Sequence, residues 1–405
     1  MTQSLSRAGI GHISTLRSAM LHFPRDEFDL RIAAARLELD RRGLDALLIF
    51  AQESHYYLTG YDTGGYKFFQ SAVLTADDTP ITLMTRRPDL HQARLTSIIE
   101  DIRIWWDGNN ATPALDLKAI LEEKGLKGRR IGVELATHGL TAANWEMLRR
   151  ALDGWCTFVD ASDLIGMQRM VKSPAELVFM RKAAEMADAA VTAVRGAAAP
   201  DVGENLVELA ASEAVLRAGG EINLAKVILS SGPHAMLTRV ASGYRTLRSG
   251  EQLTCEWAGI YRRYHAGIFR TFSIGKAPQR HKDLFQITRD SLDAMTAAAR
   301  PGNPIGNIDR EHRRVFDEHG YEKQRQPTAG YSVGATFPPK ALPDAPPLLY
   351  ADNPMIAEPG MTFFLHAVFS DQDTGDAMML GHTILITETG HEILNKVPCD
   401  YLECL

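Results

Sequence analysis

The feature that most constrains this chain is a change of hydrophobic rhythm near Met170. Before it, helical and strand-like patterns take turns. Residues 28–42 carry Leu30, Ile32, Ala33, Leu37 and Leu39 at helical spacing, and Gly43 stops the run; residues 44–50 then read as a buried strand. Further strands are expected at 71–74, 81–85, 102–106, 130–134 and 157–160, with helices at 114–124 and 142–151. Such alternation implies an α/β domain. At 171–181 a long helix opens, with Ser173 as N-cap, Pro174 in the first turn and Glu176 completing a capping box. Locally this is only a well-capped helix, but it marks the start of a second domain. Beyond it come helical segments at 183–197, 208–218, 284–299 and 307–320, and strand-like runs at 225–230, 252–257, 264–274, 361–369 and 382–387. That pattern predicts an α+β domain, with helices packed on a curved, mostly antiparallel sheet. The expected division is 1–168 and 169–405. The proline-rich stretch 337–347 reads as an irregular surface loop.

Charge and cysteine usage narrow the class. A net charge of −6 over 405 residues offers no basic footprint for nucleic acid and no polybasic patch for a membrane. No apolar run approaches the roughly 20 residues that span a bilayer, and the first 20 residues lack the apolar centre of a signal peptide. Cys156, Cys255, Cys399 and Cys404 form no CxxC pair, so a disulfide framework is unexpected and a reducing cytoplasm fits. The expected partner is a small-molecule substrate.

Six segments, in order, carry a resemblance: Met170-Val-Lys-Ser-Pro-Ala-Glu176, Ser230-Ser-Gly-Pro-His234, Gly250–Glu256 followed by Tyr264–Phe272, Gly330-Tyr-Ser-Val-Gly334, Glu358–His366, and Gly381–Thr387. Together they resemble the creatinase/prolidase/methionine-aminopeptidase family, with its pita-bread catalytic domain, and the first domain resembles the creatinase N-terminal type. Metal-dependent members hold two divalent ions with two Asp, one His and two Glu. Here the resemblance puts Glu256 at the first Asp position, Gly267 at the second, Tyr331 at the His, and His366 and Gly381 at the two Glu. Glycine has no ligating group, and neutral tyrosine is a poor ligand for a hard ion. One carboxylate remains where the family uses four, so no metal and no other cofactor is expected. The metal-free creatinases and ectoine hydrolases resemble this state. The latter share Glu256, Arg263-Tyr-His265 and the loop Gly330-Tyr-Ser-Val-Gly-Ala-Thr-Phe-Pro-Pro339, while Phe363–His366 and Leu380–His382 depart from their pattern.

The implied reaction is hydrolysis of a C–N bond in a small zwitterionic amidine, an ectoine-like ring by preference and a creatine-type guanidine as the alternative. A carboxylate can pair with such a cation and then attack it or activate water, which assigns Glu256. A histidine near neutral pKa is the natural proton shuttle. The resemblance points to His234, although a lone loop histidine is as readily structural. His265 shares a face with Gly267 under period two, and His366 occupies a ligand position; His382 is balanced between core and site. A substrate carboxylate calls for arginine, with Arg239, Arg263 and Arg270 as candidates, Arg270 being equally suited to bracing the fold. Tyr331 offers a hydroxyl. By resemblance the chain forms a homodimer in which the aromatic stretch 56–70, with Tyr61 and Phe68, reaches the other subunit's site; ordinary packing would also account for it. Two other readings stay open. One is an Xaa-Pro dipeptidase-like metallopeptidase with a rearranged site, in which Glu256, His265, His366 and His382 share one zinc. The other is a binding protein that has kept the fold.

Overall fold

A computed structural model describes residues 20–222, 228–238, 243, 245–340, 342–400 and 402–404. Contacts divide the chain into two units, residues 1–169 and 170–405.

The first unit contains α1 (Arg25–Arg42), β1 (Ala46–Ile49), α2 (Gln52–Thr59), β2 (Ser71–Thr75), β3 (Thr82–Arg86), α3 (Leu90–Thr96), β4 (Asp101–Trp105), α4 (Pro113–Glu123), β5 (Arg130–Val133), α5 (Ala142–Ala151), β6 (Thr157–Asp160) and α6 (Leu164–Gln168). Gly43 ends α1 at φ +64°, a conformation that costs glycine nothing. The strands lie in the order β4-β3-β2-β1-β5-β6. β2 runs antiparallel to both β1 and β3, and the other pairs are parallel. Apolar clusters flank the sheet, one around Phe50, Trp105 and Leu148 and the other around Leu39, Leu74 and Ile165. The short helices α2 and α3 were not legible as helical patterns, because their buried residues are largely polar or few in number.

The second unit contains α7 (Pro174–Ala197), α8 (Glu204–Arg217), β7 (Ile228–Ser231), β8 (Gln252–Tyr261), β9 (Tyr264–Ile274), α9 (Gln279–Ala298), α10 (Gly306–Glu318), β10 (Gly330–Val333), β11 (Pro343–Leu348), β12 (Thr362–Ser370), β13 (Ala377–Ile386), β14 (His391–Ile393) and β15 (Leu402–Cys404). The capping box of Ser173 and Glu176 forms, with both reciprocal hydrogen bonds in place. The sheet runs β11-β10-β12-β13-β9-β8-β7, with β14 on β13 and β15 on β9. All its pairings are antiparallel except β15 with β9. One face is covered by helices: Cys255, Ile268 and Phe272 pack with Val191 and Val194 of α7, and Leu380 and Leu365 with Leu292 and Met295 of α9.

The proline-rich stretch is a correction. Its second half forms β11, an edge strand on β10. Prolines fit there because an edge strand leaves one row of backbone groups without a neighbour to satisfy.

Candidate functional site

Cross-strand register sets the site. On the face away from the helices, His366 of β12 stands opposite Gly381 of β13, Gly381 opposite Phe269 of β9, and Phe269 opposite Glu256 of β8. These four positions form one row across the sheet. Tyr331 of β10 pairs with Phe364 of β12, two residues from His366 and so on the same face. In a flat sheet four strand spacings, roughly 19 Å, would separate Tyr331 from Glu256. Instead the Tyr331 phenol donates to Glu256 Oε1 at 3.2 Å. The sheet therefore curls, and this face is concave.

Three otherwise buried strands each open to solvent here. Glu256 and His366 are partly accessible between fully buried neighbours, and Tyr331 is the one partly accessible residue of β10. The Tyr331 and His366 rings lie 5.6 Å apart. His366 Nδ1 has no hydrogen-bond partner among the described residues. Desolvation in the cavity pushes the imidazolium pKa down to about 4, so the ring is neutral at pH 7.

Beneath these groups lies an aromatic floor that the sequence patterns had not singled out. The Phe364 ring is fully buried, 5.6 Å from the rings of both Tyr331 and His366, and stacks on Phe269 at 6.2 Å. Counting by twos from His366 puts Phe364 on the site face, which is the signal that could have found it.

The other candidate residues are not brought to Glu256. His234 sits on a 3-10 turn, residues 232–234, that follows β7, partly exposed. Ile228 faces Glu256 and Ser231 faces Leu253, so the chain passes the start of β8 before reaching His234. His265 shares the concave face but lies four residues along β9 from Phe269, roughly 13 Å. Its Nδ1 lies 2.8 Å from the Arg263 carbonyl oxygen. Arg263 occupies the tight turn between β8 and β9 at φ +69°, paired with Glu221 and set over the Phe337 ring. Arg239 lies outside the described residues.

Four assignments are corrected. Arg270 follows Phe269 and, with period two, points to the helix face. Its Nη1 donates to the carbonyls of Phe269 and Gly381 and its Nη2 to that of Val397, so it braces the site row from behind. His382 follows Gly381 and also points away; its Nε2 lies 2.9 Å from Thr296 Oγ1 of α9, and burial pushes its pKa down to about 3. A zinc shared by Glu256, His265, His366 and His382 is thereby excluded by geometry. Tyr61 is fully buried in the core of the first unit, its ring edge-on to His55 at 5.9 Å, and is no loop-tip contact. Phe68, in contrast, is 50% exposed, with the Arg86 guanidinium 3.7 Å over its ring.

Comparison with known proteins places this geometry. The model of metallopeptidase family M24 matches residues 178–388, more than half of the chain, and the creatinase/prolidase N-terminal domain matches residues 31–171. The chain belongs to metallopeptidase family M24. It is 26% identical to the ectoine hydrolase of Halomonas elongata, over 93% of this chain and 97% of that protein. It is 24% identical to the Xaa-Pro dipeptidase of Pyrococcus horikoshii, over 88% and 94%. The prolidase structure from Thermococcus sibiricus superposes with a TM-score of 0.84 at 17% identity, covering 93% of this chain and 99% of that one.

The family name implies metal ions, and the residues do not fit them. Gly267 and Gly381 carry no donor atom. A Cβ on Gly267 would stand 2.6 Å from Leu342 Cδ2 and 2.8 Å from Phe364 Cδ2, and one on Gly381 would stand 2.6 Å from the Leu365 carbonyl oxygen. Among the described residues, no three His, Cys, Asp or Glu side chains gather into a metal-binding group. All four cysteines are unpaired, and no described helix is long and apolar enough to cross a membrane.

Proposed function

We propose that this M24-family hydrolase cleaves a C–N bond in a small zwitterionic amidine, an ectoine-like ring by preference, without a metal ion. The observation that carries the reading is the convergence of Glu256, Tyr331 and His366 on one partly open patch of the concave face. Its support from relatives is the likeness to a protein named ectoine hydrolase over nearly the whole chain.

In this reading the amidinium pairs with the Glu256 carboxylate, the one anionic group of the cluster. Glu256 then takes a proton from water as the water oxygen bonds to the amidine carbon. The electron pair of the C=N bond moves to nitrogen, giving a tetrahedral carbon. The C–N bond to the departing nitrogen breaks and that nitrogen leaves protonated; for a cyclic amidine the result is one opened chain that carries both an amine and an amide. Direct attack by the Glu256 carboxylate on the amidine carbon, with the departing nitrogen leaving protonated, gives an O-imidoyl ester of Glu256, whose hydrolysis returns the carboxylate and the amide and balances equally. The Tyr331 hydroxyl orients the carboxylate. Because His366 is neutral at pH 7, it does not repel the cationic substrate, and its Nδ1, buried and without a partner among the described residues, can relay the proton. His234 is the second proton-shuttle candidate. Of Tyr61 and Phe68, the exposed Phe68 is the one available for a homodimer contact.

The alternative, a prolidase-like peptidase, has the dipeptidase relative in its favour. A single experiment separates them: chelator-treated protein is assayed against ectoine, hydroxyectoine, creatine and Xaa-Pro dipeptides, with and without added Mn²⁺, Co²⁺ or Zn²⁺. Turnover of an amidine that survives chelation is the expected result. Dipeptide cleavage that returns only with metal would sink the proposal.

A further inference from the structure

The glycines at two of the family's ligand positions are not open vacancies. Phe364 Cδ2 and Cγ lie 2.8 and 2.9 Å from where a Gly267 Cβ would be, and Phe364 Cε2 lies 3.1 Å from where a Gly381 Cβ would be. The ring therefore stands against both positions, sharing the crowding of Gly267 with Leu342 Cδ2 at 2.6 Å and that of Gly381 with the Leu365 carbonyl oxygen at 2.6 Å. Phe364 is fully buried, Leu342 is 2% exposed, and the ring is held from below by its stack on Phe269. Contacts under 3.0 Å cannot persist beside a stiff, well-packed aromatic ring, so a side chain at 267 and the ring at 364 exclude one another. Neither glycine has a positive φ, so the need for glycine here comes from space and not from backbone conformation.

We propose that Phe364, seated on the cradle of Gly267 and Gly381, fills the volume where side chains at these two positions would have to project to hold an ion. The missing ligands and the buried ring are thus two halves of one rearrangement. Restoring a carboxylate at 267 alone does not restore a metal site, because the ring occupies the space that the carboxylate needs. The ring also touches Tyr331 and His366, so the same packing that excludes the ligand sets the positions of two groups beside Glu256. The inference stands apart from the substrate reading, since it concerns the packing of this face and requires no turnover.

The test is a thermal-unfolding cycle of wild type, Gly267→Ala, Phe364→Leu and the double variant. Gly267→Ala is expected to lower Tm by several degrees in the wild-type background and to cost clearly less in the Phe364→Leu background, where only Leu342 Cδ2, the movable end of a side chain, still crowds the new Cβ. Additive effects would overturn the proposal. A second arm uses metal binding as its readout. Chelator-stripped Gly267→Asp and Gly267→Asp/Phe364→Ala proteins are titrated calorimetrically with Mn²⁺ and Zn²⁺. Binding in the double variant at least tenfold tighter than in Gly267→Asp supports the plug; equal binding in the two overturns it. If Gly267→Asp does not fold, the alanine cycle decides alone. Loss of amidine turnover in the wild type would bear on the proposed function and leave both arms intact.

Discussion

Tyr331 and Glu256 meet across the concave face of the second unit, phenol to carboxylate at 3.2 Å, although three strands of the sheet lie between theirs. The contact makes the curl of the sheet part of the site. In the proposed reaction Glu256 acts as a carboxylate, and a hydrogen bond to a charged acceptor is worth about 1.5–3 kcal/mol. Tyr331→Phe is therefore expected to lower kcat/KM for the amidine substrate by roughly 10- to 150-fold while leaving Tm close to wild type. Steady-state kinetics beside a melting curve checks it. An unchanged rate would remove Tyr331 from the chemistry.

Arg270 separates bracing from binding. Its guanidinium makes three hydrogen bonds to backbone carbonyls, two of them in the Glu256–His366 row, and the side chain is 2% exposed. Lysine keeps the charge but not the fork, so Arg270→Lys leaves buried carbonyls unpaired. A loss of about 2–4 kcal/mol in urea unfolding is expected, with KM little changed in whatever protein remains folded. A rise in KM at unchanged stability would return Arg270 to the substrate.

Much of this arrangement was legible. The alternation in 252–257, 264–274 and 361–369 marks three long strands, and period two places Glu256, Gly267 and His366 each on a definable face of its own strand. Period two also sends His382 away from Gly381 and Arg270 away from Phe269, since neighbours in a strand oppose one another. Which face of one strand matches which face of the next depends on register, and register comes from pairing over long separations such as His366 with Gly381 and Gly381 with Phe269. The contact of Tyr331 with Glu256 is further removed still, because it follows from curvature summed over four strand steps.

Glu204 provides a hidden clamp on the turn that carries His234. Its carboxylate is 2% exposed and accepts from Ser231 N and Oγ, at 2.9 and 2.6 Å, and from the backbone N–H groups of Gly243 and Arg245, at 3.1 and 3.3 Å. Arg245 in turn donates to Ser231 Oγ and to both oxygens of Glu251. One carboxylate thus ties Ser231, at the start of the turn, to Gly243 and Arg245. Glu204→Gln replaces an acceptor by a donor facing donors, and faster proteolytic cleavage within 232–238 is expected, along with a Tm lower by several degrees. Cleavage at the wild-type rate would show that the clamp does not hold the turn.

Acid sensitivity follows from the buried histidines. Burial pushes the pKa of His55, His312 and His382 down to about 3 and that of His366 to about 4, from an ordinary 6.5. The folded values are depressed, so between pH 6.5 and 4 these histidines bind more protons in the unfolded chain than in the folded one; Glu134, whose buried carboxyl is pushed up to about 7, opposes them as a single group. Stability therefore rises with pH through that window and is lost on acidification. For a buried histidine such as His382 the loss from pH 6.5 to 5 is about 2 kcal/mol. Unfolding free energies measured at pH 7.5, 6.5, 5.5 and 5.0 are expected to fall steeply below pH 6.5. His382→Gln is expected to flatten that slope whatever it does to stability at pH 7.5, because glutamine does not titrate. A slope that His382→Gln leaves unchanged would mean that His382 is protonated without cost in the folded protein, against its burial beside Thr296 of α9.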